Sequence, residues 1–265
     1  MTLFLSAYLL LGAAAGFFAG LLGIGAGLLM VPVLQELFLA QGFVPDLALR
    51  LALGTSMAGI IFNSLASLRA HHRHGAVLWP AVRAIAPGIV AGTLLGSQLA
   101  NYLPTHSLAM IFAVFLVLIA LQMAAERKPK PSRTLPGRGG MGVAGGLIGV
   151  VMSLIAGGGG VMSVPFLIWC NVEPRKAIAT AAAIGFPIAV SGTVGYLFAG
   201  WRVPGLPAWS AGYVYLPALL AVVCASTLTA RLGANAAHRL PVRVLKQLFS
   251  GLLLLIAARM IYRML

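Results

Sequence analysis

Apolar residues run through this chain in long unbroken stretches, and polar positions are confined to short gaps between them. There is no alternation of the strand type, and most stretches are longer than a buried helix of a soluble core requires. A helix that spans a membrane needs about 20 consecutive apolar residues. Stretches of that kind lie at about 47–70, 77–100, 107–125, 177–198, 213–232 and 244–261. Two more, 3–42 and 141–170, are broken. The first is interrupted by Gly23-Ile24-Gly25-Ala26-Gly27 and Pro32, the second by Gly157-Gly158-Gly159-Gly160 and Pro165. The pattern predicts an all-α, polytopic integral membrane protein with about eight hydrophobic segments.

One polar stretch stands apart. Glu126 to Gly140 carries five basic residues and three prolines and no apolar run. It divides the chain into a first membrane unit (1–125), a basic linker (126–140) and a second membrane unit (141–265). The two units align as homologous repeats. With Gly16 set on Gly149, Gly25 to Pro32 falls on Gly158 to Pro165 without a gap. Arg50 and Thr55 then fall on Arg175 and Thr180, Gly75 on Gly200, and Leu95-Gly96 and Leu103-Pro104 on Leu232-Gly233 and Leu240-Pro241.

Each repeat opens with a broken stretch, and its length bears on topology. Thirty residues from Met141 to Cys170 exceed one span and fall short of two. A hairpin of half-helices that re-enters the bilayer fits, because non-helical backbone at that depth is tolerated where protein or a cavity surrounds it. If both hairpins re-enter, the repeats are inverted, and 14 of the 18 basic residues fall on one side. Arg50, Arg202, Arg259 and Arg263 remain on the other. Eight simple spans would divide them 11 to 7. The excess of Lys and Arg on the cytoplasmic side favours inversion. Parallel repeats with a bent first helix are the alternative.

Composition narrows the function. Only 8% of residues are charged and the mean hydropathy is +1.00. Soluble domains carry about 25% charged residues, so a soluble enzyme is excluded. The surplus of 18 Lys and Arg over 4 Asp and Glu does not mark a nucleic-acid partner, because the bases lie in gaps between spans rather than on one hydrated face. Cys170 and Cys224 are isolated, which suggests neither a zinc site nor a disulfide. His71, His72 and His74 lack an acidic or cysteine partner, and they read as an interfacial patch rather than a metal site. No catalytic constellation, cofactor motif or metal-ligand set is present, and the bases needed for a secretory leader are missing before Arg50.

The candidate site lies at the two breaks. A half-helix that starts inside the membrane leaves its first N–H groups unpaired, and those groups with the helix dipole attract an anion. Broken helices at matching places in two repeats point to a transport site. The candidate contacts are Gly23, Gly25, Ala26, Gly27, Gly157, Gly158, Gly159 and Gly160, with Thr55, Ser56, Asn63 and Thr180 from the segments that follow. Thr55, Gly59, Asn63 and Ser67 are spaced to share one helical face. Ser153, Ser163, Ser191 and Thr193 are further hydroxyls at depth, where bonding back to the preceding turn is the ordinary alternative. Arg50 and Arg175 either attract the anion or snorkel to headgroups. By contrast, Gly88-x3-Gly92-x3-Gly96 and Gly12-x3-Gly16-x3-Gly20 read as surfaces for close helix packing. Glu36, Asp46, Glu126 and Glu173 all lie at segment ends, so the interior has no fixed counter-charge for a cation.

Gly16-Phe17-Phe18-Ala19-Gly20-Leu21-Leu22-Gly23-Ile24-Gly25-Ala26-Gly27-Leu28-Leu29-Met30-Val31-Pro32, its echo through Gly157–Pro165, Gly54-Thr55-Ser56 and His74-Gly75 together resemble the TauE/SafE family of sulfite exporters and anion permeases. Ala26 departs from the run of glycines usual in the first copy. The resemblance implies transport of sulfite, thiosulfate, sulfoacetate or another organosulfonate or carboxylate across the bacterial inner membrane, without nucleotide hydrolysis. The expected partners are a small anionic solute and the bilayer, with no nucleic acid. A homo-oligomer is left open, as are carriage of a cation, metal or neutral solute and a non-transport assembly role.

Overall fold

The computed structural model describes residues 2–22, 27–125, 132–237 and 242–264. Its first half contains α1 (Thr2–Leu22), α2 (Gly27–Ala40), α3 (Pro45–Arg73), α4 (Trp79–Tyr102) and α5 (Thr105–Ala124). The second contains α6 (Arg138–Leu154), α7 (Gly160–Trp169), α8 (Pro174–Gly200), α9 (Leu216–Ala237) and α10 (Val242–Met264). Between α8 and α9 a small antiparallel hairpin pairs β1 (Ser210–Ala211) with β2 (Val214–Tyr215), Ser210 opposite Tyr215. Among the described residues the hydrophobic segments thus form ten helices, because each broken stretch contributes two.

Local chemistry sets the helix ends. Proline stands in the first turn of α3, α4 and α8, where its missing N–H has no intrahelical partner to lose. Among the described residues four helices, α3, α4, α5 and α8, are long and apolar enough to cross a membrane. Leu10, Leu95, Leu147, Leu220 and Leu255 project outward, exposed, as expected of a surface that faces lipid. The protein is all-α and polytopic.

At the centre, α3 packs on α8. Their middle residues, including Leu51, Leu53, Met57, Ala181, Ile184 and Ile188, are fully buried. Around them α1 lies on α9, α4 on α6, and α5 on α10. The first two contacts are made through glycine. A methyl group on Gly88 or Gly92 would overlap the carbonyl oxygen of Gly142 or Gly146 across the α4–α6 contact. On Gly12 or Gly16 it would overlap the backbone of Val222 or Ser226 across the α1–α9 contact. Small residues let backbones approach that closely in a membrane.

Both broken stretches turn back. The Tyr8 hydroxyl near the start of α1 accepts a hydrogen bond from Gln41 Nε2, just past the end of α2, and the Tyr8 and Phe38 rings meet edge to face. The beginning of α1 and the end of α2 therefore lie at the same end of the molecule. In the second half, the N–H groups of Ser132 and Arg133, ahead of α6, both donate to the Trp169 carbonyl at the end of α7, at 3.2 Å. The Arg133 guanidinium sits over the Trp169 ring, 4.9 Å from its centre. At 1.5 Å per residue, the 14-residue α2 reaches about 21 Å and the 10-residue α7 about 15 Å. Neither covers the roughly 30 Å of bilayer hydrocarbon.

The hairpins open at opposite ends. Arg50 at the start of α3 touches the end of α4. Glu36 of α2 pairs with Arg259 and Arg263 at the end of α10. Those residues share the end at which α1 begins. The opposite end holds the start of α4, where Trp79 Nε1 donates to His72 Nδ1 at the close of α3, and the start of α8, to which Leu78 is bonded. The α6–α7 hairpin opens there.

Candidate functional site

The second break is fully described. Helix α6 ends in a tight cap. Ala156 adopts a left-handed backbone, φ 44°, and the Gly157 N–H donates to the Met152 carbonyl at 2.9 Å. This is the 6→1 bond of a Schellman motif, with alanine where glycine is usual. A second carbonyl of the last turn, that of Ser153, accepts the buried Tyr196 hydroxyl of α8 at 2.9 Å. The chain reverses through Gly157–Gly159, and α7 begins at Gly160. Gly159 is clamped against α8, where a methyl group would overlap Ala181 O and Gly185. Pro165 lies inside α7 and Pro32 inside α2, and each removes one backbone donor.

Of the first break, Gly23, Gly25 and Ala26 lie outside the described residues. Gly27, the first residue of α2, is described and buried. A methyl group on it would overlap the Ala156 carbonyl oxygen and lie 2.8 Å from Ile60 Cδ1 of α3. The two breaks therefore touch. Since α2 and α7 lead away to opposite ends, their N-termini converge on one region. Its walls are Ile60 and Ser64 of α3 and Ala181 and Gly185 of α8. Ser64 stands 3.7 Å from a methyl position on Gly185.

The polar residues divide into three groups. Thr55 and Thr180 have partners. The Tyr215 N–H donates to Thr55 Oγ1 and the Leu78 N–H to Thr180 Oγ1, each at 3.0 Å. These threonines receive the backbone just before α9 and just before α4. In the second group, Ser64, Thr93, Ser97, Ser153, Ser191, Thr193 and Ser226 donate back to a carbonyl of their own helix, as hydroxyls in membrane helices commonly do. The third group, Ser56 and Ser163, is fully buried and makes no hydrogen bond. Asn63 stands on the flank of α3 and is partly exposed.

At the level of the breaks α3 presents Ile60 and Ser64, while Thr55, Ser56 and Gly59 are buried and Asn63 is partly exposed. Periodicity finds a helical face, but not which of the adjoining Asn63 and Ser64 the packing turns toward α8. Arg50 is likewise engaged. Its guanidinium donates to Ala100 O at 3.2 Å, Leu103 O at 2.8 Å and Asp46 O at 2.8 Å. It closes the carbonyl end of α4, where the last turn lacks intrahelical donors.

The short helices α2 and α7, whose starts meet among long apolar helices, accord with a polytopic membrane protein. The chain belongs to the sulfite exporter TauE/SafE family, whose sequence profile matches residues 8–260. It is 37% identical to a probable membrane transporter protein of Haemophilus influenzae over 261 residues, covering 98% of this chain and 99% of that one. It is 24% identical to the probable membrane transporter protein YunE of Bacillus subtilis, covering 95% of each. A probable membrane transporter protein of Methanocaldococcus jannaschii is 25% identical over 95% of this chain and 93% of its own length. No solved structure matches.

Proposed function

We propose that this chain is a permease that moves a small anion across the bacterial inner membrane by alternating access. The candidates are sulfite, thiosulfate, sulfoacetate or another organosulfonate or carboxylate. The observation that carries the reading is the contact of Gly27 with Ala156. It brings the N-termini of α2 and α7 to one place, and each presents the positive end of a helix dipole. Membership of the sulfite exporter family supports the same substrate class.

Two inverted repeats would give the motion its form. Carrying the register of Leu95-Gly96 and Leu232-Gly233 back without a gap sets Leu78 on Tyr215, Ile85 on Val222 and Ile89 on Ser226. Gly12 and Gly16 approach Val222 and Ser226, while Gly145 and Gly149 approach Ile85 and Ile89. The bond from Tyr215 N–H to Thr55 pairs in the same way with that from Leu78 N–H to Thr180. This recurrence supports the repeat reading and the division at the basic linker. Thr55 and Thr180 then act at opposite ends of the path, holding the starts of α9 and α4 against α3 and α8. Releasing one while the other stays closed opens the site to one side. The end with the basic linker faces the cytoplasm under the positive-inside rule.

Counterflow of labelled sulfite into proteoliposomes preloaded with unlabelled sulfite tests this. Accumulation that requires the protein is expected. Counterflow of a neutral solute or a cation, with none of sulfite, thiosulfate or organosulfonates, would overturn the reading.

A further inference from the structure

Resting on the anion-permease reading, we infer that the central site selects singly charged anions over doubly charged ones, which among the candidates favours hydrogensulfite and monosulfonates over thiosulfate and sulfoacetate, and that Ser163 and Ser56 are its side-chain contacts. Three observations carry this. First, among the described residues every Lys and Arg lies in a connecting segment or within about two helical turns of a helix end. Arg50 is spent on the carbonyls of Ala100 and Leu103 at the end of α4 and of Asp46 in its own helix. The site is therefore built from N–H and O–H donors without a cationic side chain. Second, a helix N-terminus carries roughly half an elementary charge. The starts of α2 and α7 together match one negative charge and leave a second uncompensated. Removing an ion from water becomes more expensive with the square of its charge, so the second charge is the costly one. Third, Ser163 and Ser56 hold buried hydroxyls with no partner.

Ser163 lies in the first turn of α7. Its Cα–Cβ bond leans toward the helix N-terminus, and so toward the Gly157–Gly160 break. Ser64, Thr93, Ser97, Ser153, Ser191, Thr193 and Ser226 bond back to their own helix, and Ser163 does not. Ser56 lies one turn from Ile60, whose Cδ1 borders Gly27. Left without partners, these hydroxyls are a burden on the fold. As donors to anion oxygens they are satisfied.

The test uses the purified full-length chain at constant ionic strength. Methanesulfonate and sulfate, tetrahedral oxyanions of one and two charges, are titrated against its melting temperature and against sulfite counterflow. Methanesulfonate should act at a concentration at least tenfold below that of sulfate. Ser163→Ala and Ser56→Ala should each weaken the methanesulfonate effect about tenfold, as loss of a hydrogen bond to a charged group does. Their melting temperatures without ligand should stay level or rise. Equal potency of the two anions overturns the charge selection and leaves the anion permease standing. Loss of ligand-free stability in both variants, with anion affinity retained, assigns the serines to packing and overturns their role as contacts. Sulfite counterflow blocked by neither anion removes the selection, and absence of sulfite counterflow removes the permease reading itself.

Discussion

Gly27 and Ala156 lie against each other although they belong to different broken stretches, and the glycine has no room for a Cβ because the alanine carbonyl occupies that place. The contact makes one site of two breaks. It also explains why a residue without a side chain opens α2.

Gly27→Ala should therefore weaken the fold by about 1–3 kcal/mol, the usual penalty for forcing a methyl into packed surroundings, and should lower sulfite flux sharply. Gly59→Ala is the control. Its methyl group would meet only the flexible tip of Met30, at 3.0 Å, and thermal unfolding in detergent should change little.

The threonine pair offers a second test. Thr180→Val and Thr55→Val keep the shape of the side chain but strand the Leu78 and Tyr215 N–H groups. Each should cost about 1–3 kcal/mol, and each should alter flux. Thr→Ser at the same sites retains the acceptor and should restore most of both. Full function in the valine variants would deny the threonines any part in holding α4 and α9.

Helix packing gives an asymmetric prediction. A methyl on Gly92 overlaps the Gly146 carbonyl, whereas one on Gly146 finds only Gly88 O at 3.8 Å, and one on Gly142 finds open space. Gly92→Ala should destabilise the α4–α6 contact. Gly142→Ala and Gly146→Ala should be near neutral in the same unfolding assay.

Sidedness can be read by thiol labelling. Val44 is exposed between α2 and α3, and Gly137 has open space ahead of α6. With the native cysteines replaced by serine, Val44→Cys and Gly137→Cys should react with an impermeant maleimide from opposite faces, Gly137→Cys from the cytoplasm. If both labelled from one face, the hairpins would not be inverted. Even without replacement the background at Cys170 should be slow. Burial raises its thiol pKa above the ordinary value, with the nearby Arg133 charge opposing, and only the thiolate reacts.

Much of this was legible in the sequence because it depends on residue size and spacing. The Gly88–Gly92–Gly96 face reads as a packing surface wherever its partner lies. The two breaks stand out because glycine runs inside apolar stretches of 30 to 40 residues have few physical solutions. Pairwise relationships were harder to read. Thr55 meets Tyr215 and Thr180 meets Leu78 across more than a hundred residues, and no local pattern marks such partners. Arg50 was ambiguous because its answer lies at Ala100 and Leu103, at the far end of another helix. Asn63 and Ser64 adjoin on α3, and only the packing of Ser64 against Gly185 of α8 separates them.

The most direct measurement is the position of the anion. Selenite is an anomalously scattering analogue of sulfite, and it can be soaked into crystals of the full-length protein. The account predicts a selenium peak between the starts of α2 and α7, within hydrogen-bond reach of the first N–H groups of α7 and of the Ser163 hydroxyl. A peak found only at the exposed Arg259 and Arg263, with none beside Gly27 and Gly160, would contradict it.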